Sequence, residues 1–185
     1  LIFTPPFLIN QAETLANFHR TNSGLTVRVV TLENIYQEFS SGKQDIAAIR
    51  NLVKYVYWNA SSPDKRVKYV NLFGDASYDY KKRITNNNNI VPVFHGFDPA
   101  DSENNNNANI SLYSSFMSDD FFGLMDDGEG TMTGSFDGID IAVGRMLVST
   151  PAQAQEMVNK VIEYHDEKSY GRWRNNYVVY SDDAD

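Results

Sequence analysis

The segment KYVNLFGD, residues 68–75, is the clearest strand of the chain. It is an almost continuous apolar run, which is typical of a strand buried on both faces of a parallel sheet. Gly74 and Asp75 follow it directly, so a turn and a charged side chain are expected where the strand ends. In parallel sheets, functional groups gather at this carboxyl edge. We therefore expect Asp75 to belong to any polar site that the fold builds.

On either side of this segment, apolar runs alternate with helical patterns. Strands are predicted near residues 1–4, 25–32, 68–73 and 139–143, and helices near residues 7–21, 43–59 and 151–168. Thr150, Pro151 and Gln153 are typical of a capping box that starts the last helix. The alternation predicts an α/β fold, a small parallel sheet flanked by helices.

Two further segments set the organisation of the chain. Residues 85–109 are rich in asparagine and predict a long surface loop. Residues 171–176 form a polar linker, after which residues 177–180 predict the start of a new strand. We therefore expect one subdomain over residues 1–172 and the opening strand of a second over residues 173–185. Both ends are expected to be internal to a larger protein.

The composition excludes several classes of function. A net charge of −8 over 185 residues disfavours nucleic acid and anionic membrane surfaces. No run of about 18 apolar residues is present, so no membrane span is expected. The chain has no cysteine, which excludes disulfides and a thiol nucleophile within these residues. Its 42% hydrophobic residues are enough for a folded core.

The stretch SDDFFGLMDDGEGTMTGSFDGID, residues 118–140, is the most acidic part of the chain. With no lysine or arginine inside it, a hard cation on a glycine-rich loop is the expected counter-charge. The acids of this stretch are Asp119, Asp120, Asp126, Asp127, Glu129, Asp137 and Asp140. We predict one Ca²⁺ site formed by Asp75, Asp126, Asp127, Glu129 and Asp140. The spacing is not that of an EF-hand, and the alternative is a solvated acidic loop.

Other motifs give weaker signals. The sequence lacks a nucleotide-binding P-loop and a zinc-binding H-E-x-x-H motif. Asp75 as a phosphate acceptor is disfavoured, because the first strand ends in Pro5 and Pro6 where receiver domains carry acids. Arg145, just past a predicted strand, is expected either to bridge carboxylates or, less favoured, to contact a substrate.

Four segments carry a family resemblance. They are LFGDASYDY at 72–80, SDDFFG at 118–123, IDIAVGRML at 139–147 and WRNNYVVYSDDAD at 173–185. In this order they resemble the gingipain-type cysteine peptidases, family C25, over nearly the whole chain. The resemblance implies a caspase-like first subdomain, with the family's catalytic His and Cys lying beyond these residues. This chain alone is therefore expected to be inactive.

The resemblance also implies roles for individual residues. Structural Ca²⁺ would be bound by Asp75, Asp126 and Asp140, with Asp127 and Glu129 as further options. Asp183, or its neighbour Asp182, would support the catalytic His.

For the whole protein, the resemblance implies a cysteine-type endopeptidase on the cell surface. It is most similar to members that act as the sortase of type IX secretion. Its partners would be exported cargo with C-terminal sorting domains, the rest of its own catalytic domain and other secretion-system components. The alternative from another class is a non-catalytic, Ca²⁺-stabilised interaction module.

Overall fold

The computed structural model describes residues 1–97, 115–132 and 138–181. The strands are β1 Ile2–Thr4, β2 Val29–Thr31, β3 Tyr69–Phe73, β4 Phe94–Phe97, β5 Ser115–Ser118 and β6 Ala142–Met146. The helices are α1 Ile9–Asn22, α2 Leu32–Phe39, α3 Ile46–Trp58 and α4 Pro151–Tyr164. Asp137, Asp182 and Asp183 lie outside the described residues, as does part of the predicted loop 85–109.

Four strands form a parallel sheet in the order β2-β1-β3-β6. Tyr69 of β3 lies opposite Ala142 of β6, and Phe73 lies opposite Met146. The predicted fold class, a small parallel sheet flanked by helices, is confirmed.

Each face of the sheet is covered by one pair of helices. Phe3 and Leu72 point to the face of α2 and α3, where they pack with Ile49 and Val53. Ile2 and Phe73 point to the other face, where they pack with α1 and α4. Burying a large apolar side chain of this kind contributes about 1.5–3 kcal/mol. The alternation along β1 and β3 therefore determines which helices cover which face.

The sequence analysis misplaced several boundaries. β6 begins three residues later than predicted, and β2 is limited to three residues. Helix α3 begins at Ile46 rather than residue 43, because the carboxylate of Asp45 accepts the Ala47 N–H at 2.8 Å and caps the helix. The capping box of α4, formed by Thr150 and Gln153, is present as predicted.

The predicted loop contains a strand that the sequence analysis missed. β4 pairs with β5 in an antiparallel ribbon, with Phe94 opposite Ser118. The ring of Phe94 stacks on Phe121 with centroids 4.9 Å apart. This long-range contact attaches the ribbon to the core, which a local sequence pattern does not reveal.

The strand predicted at residues 177–180 is wrong for this structure, in which these residues belong to no strand. Their apolar side chains are exposed, Tyr177 at 95% and Tyr180 at 94%. A β-prone segment needs a neighbouring strand to satisfy its backbone, and the described residues provide none here.

Among the described residues, no helix is long and apolar enough to cross a membrane.

Candidate functional site

The sheet register separates two of the predicted calcium ligands. Asp75 follows the carboxyl end of β3, and its N–H donates to the Val148 carbonyl at 3.0 Å. Asp140 precedes β6, near the amino end of the sheet, where Ala142 pairs with Lys68. The paired part of β3 runs from Tyr69 to Phe73, which is about 13 Å at 3.3 Å per residue. Asp140 lies before the first of these ends and Asp75 after the second, so the two acids are farther apart than that. Asp75 and Asp140 therefore do not share an ion, which corrects the predicted single site.

Asp75 lies in a polar junction at the carboxyl edge of the sheet. Its carboxylate accepts the Ala76 N–H at 2.9 Å and the Ser149 hydroxyl at 3.3 Å, and it also accepts the Asn88 side-chain amide. Its carbonyl accepts the N–H groups of Ile90 and Val91 at 3.0 and 2.9 Å. Asp75 thus joins β3, the asparagine-rich loop and the start of α4.

A partly buried ion pair lies beside this junction. The Arg145 guanidinium binds the Asp119 carboxylate in a bidentate geometry, with distances of 2.8 and 2.7 Å. It also donates to the carbonyls of Gly74, Val91 and Pro92. The Arg145 side chain is 8% exposed and that of Asp119 is 25% exposed. Arg145 therefore joins loops through one carboxylate and three carbonyls, which is a structural role, although it does not bridge two carboxylates as predicted.

Asp79 is the second carboxylate that organises the asparagine-rich loop. It is buried, and it accepts the Ile84 N–H at 2.7 Å. The Arg83 N–H and the Asn87 amide donate to the same oxygen. The Ile84 hydrogen bond, helped by those from Asn87 and Arg83, lowers the pKa of Asp79 despite its desolvation. Asp79 therefore remains ionised in its turn.

Three of the remaining predicted ligands, Asp126, Asp127 and Glu129, lie in residues 124–130, which we call the acidic turn, and the fourth, Asp140, contacts this turn. The carboxylate of Asp140 accepts the Met125 N–H at 2.9 Å, and that of Glu129 accepts the Asp126 N–H at 3.0 Å. Asp127 is fully exposed and pairs with Lys54 at 2.9 Å. The structure thus brings four of the five predicted acids to one region and leaves Asp75 at the opposite end of the sheet.

Helix α3 supplies the counter-charge that the local sequence lacks. Arg50, Lys54 and Trp58, which we call the α3 donor row, lie four residues apart on one face. Arg50 donates to the carbonyls of Leu124 and Glu129 at 2.8 and 3.2 Å. Lys54 and Trp58 donate to the carbonyls of Asp126 and Met125. The acidic stretch itself contains no lysine or arginine, and these two bases come from more than 70 residues away in the sequence.

A calcium ion held by all five predicted carboxylates does not fit this arrangement. Within the described residues, no three acidic, histidine or cysteine side chains form a group that could hold a metal ion. The carboxylates of Asp140 and Glu129 already accept backbone N–H groups, and that of Asp127 pairs with Lys54. Binding of a structural Ca²⁺ ion by this chain stays a prediction.

The sequence reasoning missed the α3 donor row and the partner of Arg145. The spacing of Arg50, Lys54 and Trp58 was visible as a polar and aromatic line on the predicted helix. Nothing in the sequence indicated that this line faces the acidic turn. Asp183, the predicted support of a catalytic His, lies outside the described residues.

Comparison with known proteins identifies the class. The family model of peptidase family C25 matches residues 1–185, so the chain belongs to this family of peptidases, the family of the gingipain-type cysteine peptidases that its motifs resemble.

Within the solved structures, the chain is similar to dimeric latent PorU from Porphyromonas gingivalis. The sequence identity is 30% and the TM-score is 0.73. The match covers 95% of this chain and 16% of the PorU chain, so the chain spans about a sixth of the protein it resembles. No curated protein matched the chain.

Proposed function

We propose that residues 1–172 are the first, non-catalytic subdomain of the catalytic domain of a C25 cysteine peptidase and that residues 173–185 open the second. The observation that carries the proposal is the match of the family over the whole chain, together with the similarity to PorU over 95% of it. The 185 residues contain no cysteine, so the nucleophile has to come from another part of the protein. The sheet described above would then brace the catalytic subdomain.

The topology supports a subdomain boundary after α4. The connection from β1 through α1 to β2 runs along one face of the sheet, and α4 packs on that same face. A right-handed crossover from β6 through α4 would run in the same direction, toward the place that β3 already fills. Residues 177–180 would therefore not continue this sheet beyond β6 as a parallel strand. This favours the assignment of residues 173–185 to a second subdomain.

In the whole protein, a Cys thiolate would attack the peptide carbonyl, and a His would act as general base and then as general acid. We propose that Asp183 supports that His by accepting its ring N–H. Such a carboxylate fixes the tautomer of the imidazole and stabilises its charged form.

The finer proposal is that the parent is the type IX secretion sortase. It would remove C-terminal sorting domains from exported cargo at the cell surface. The similarity to PorU supports this assignment. Cargo proteins and other secretion components would be its partners.

The experiment is a mutational test of the longer protein that contains this chain. We expect Asp183→Asn to reduce kcat for peptide cleavage at least tenfold and to move the acidic limb of the pH–rate profile. Asp182→Asn tests the neighbouring alternative, and we expect it to leave both unchanged. A longer protein that has no cysteine sensitive to iodoacetamide would contradict the peptidase proposal. Equal activity of the two variants would contradict the proposed role of Asp183 but not the peptidase proposal.

A second candidate is a non-catalytic interaction module, which the exposed apolar segment at residues 177–180 favours. The two proposals differ in the residues that follow the chain. A Gly-His-Gly segment and then a Cys after a strand support the peptidase. A longer protein without either supports the module.

A further inference from the structure

The α3 donor row occupies the atoms that a cation in the acidic turn would need. Calcium in loops is bound by carboxylate and carbonyl oxygens. Here the carbonyls of Leu124, Met125 and Asp126 each accept a hydrogen bond from a side chain of the row. The Glu129 carbonyl accepts a second one from Arg50. Four main-chain oxygens of one short turn are thus satisfied by a single helix face.

Three carboxylates at the turn, those of Asp127, Glu129 and Asp140, also have partners. Glu129 and Asp140 accept the N–H groups of Asp126 and Met125, so they close the turn from inside. Lys54 pairs with Asp127 from outside. Arg50 and Lys54 bring two positive charges to a turn that contains Asp126, Asp127 and Glu129 and that Asp140 contacts.

The packing around Arg50 fits this role. Its guanidinium lies 5.4 Å from the centroid of the Phe121 ring, within the range of a cation–π contact. A Cβ atom at Gly130 would be 2.8 Å from the guanidinium carbon. Gly130 has φ +93°, a conformation that glycine adopts readily. The turn is thus shaped to receive an arginine.

We propose that helix α3 is a built-in substitute for a metal ion at this turn. Arg50, Lys54 and Trp58 hold residues 124–130 closed in the absence of a divalent cation. The closed acidic turn also fixes Asp140, which lies just before the start of β6. This inference concerns the stability of the chain and does not depend on the proposed peptidase function.

The test is a thermal melt of the purified chain, once in about 1 mM EDTA and once in about 5 mM CaCl₂. We expect the two melting temperatures of the wild type to agree within about 1 °C. An ion that stabilised the fold at a hundred times its Kd would raise Tm by roughly 5 °C or more in a chain of this size. Such a rise in the wild type would overturn the proposal.

The second arm removes the positive charges. The variant Arg50→Met/Lys54→Met removes both charges and keeps unbranched side chains, and Lys160→Met/Lys168→Met is the control with the same change of charge at exposed positions. We expect the first variant to melt several degrees below the control. Hydrogen exchange of the Met125 and Asp126 amides should rise at least tenfold in it.

Exchange is a local readout, and it can also be measured in the single variant Lys54→Met if the double variant does not fold. In that single variant we expect the exchange of the Asp126 amide to rise several-fold. Equal exchange in variant and control would overturn the proposal.

Discussion

Two acid-rich turns flank the sheet, and they are held closed in different ways. The turn after β3, at the carboxyl edge, contains Asp75 and Asp79 and is held by backbone N–H groups, with the partly buried Arg145–Asp119 pair beside it. The acidic turn before β6, near the amino edge, is held from outside by a helix. The sequence analysis joined both in one metal site. The comparison shows that an acid after one parallel strand and an acid before the next lie at opposite ends of the sheet.

The largest effect is expected at the carboxyl edge. Asp119→Ala leaves the nearly buried Arg145 guanidinium without its carboxylate. We expect a loss of about 3 kcal/mol in the free energy of unfolding, at the low end for a broken buried pair, because Arg145 keeps three carbonyl partners. Urea denaturation measures this loss in the free energy of unfolding, and Asp120→Ala, at the exposed neighbouring position, is the control. Equal losses in the two variants would mean that the pair does not support this edge.

The next effect tests the acidic turn by means of two glycines. Gly128 and Gly130 have φ of +90° and +93°, but only a Cβ at Gly130 meets Arg50. Each alanine variant should lose about 1–2 kcal/mol from the backbone conformation. Gly130→Ala should lose more than Gly128→Ala, because it also displaces the guanidinium. Comparison of the two urea midpoints measures the difference, and a larger loss at Gly128 would contradict the role of Arg50.

A pH-dependent effect is expected at Asp79. Its pKa in the folded chain lies below the ordinary value of 3.8, chiefly because the Ile84 N–H stabilises the ionised form. Its contribution to stability is therefore fully present above that ordinary value and is lost as the pH falls through the folded pKa. Asp79→Asn should be less stable than the wild type at pH 7, and the gap should narrow below pH 4. Urea midpoints of the wild type and the variant across this pH range test the prediction, with the exposed Asp64→Asn as control. A difference in stability that stays constant with pH, as expected for the control, would contradict it.

The smallest effect is expected at the outer ion pair of the acidic turn. Asp127 is fully exposed, and exposed pairs contribute about 0.2–1 kcal/mol. Asp127→Asn should therefore cost less than about 1 kcal/mol, and added salt should reduce the difference further. A loss as large as that of Asp119→Ala would remove the distinction between the two edges. Chemical denaturation at low and high salt measures it.

Particular elements show how far sequence reasoning reached. The apolar run at residues 68–73 and the capping box at Thr150 and Gln153 were predicted correctly, because each depends on neighbours in the sequence. The β4–β5 ribbon was missed because its attachment is the stacking of Phe94 on Phe121. The candidate site was predicted only in part. Its acids were identified, but Asp75 was grouped with Asp140, which lies at the opposite end of the sheet. Local spacing in the sequence does not reveal which end of a sheet a residue occupies.

The sequence by itself determined the α/β class and the order of the strands and helices along the chain, and its motifs predicted the family. These follow from hydrophobic periodicity and capping, which act over a few residues. Tertiary structure alone decided which charges meet. Arg145 reaches Asp119, and Lys54 reaches Asp127 across 73 residues of sequence. Hydrogen bonds and ion pairs act over a few ångströms, so they form only after the sheet register and the packing of α3 have brought distant segments together.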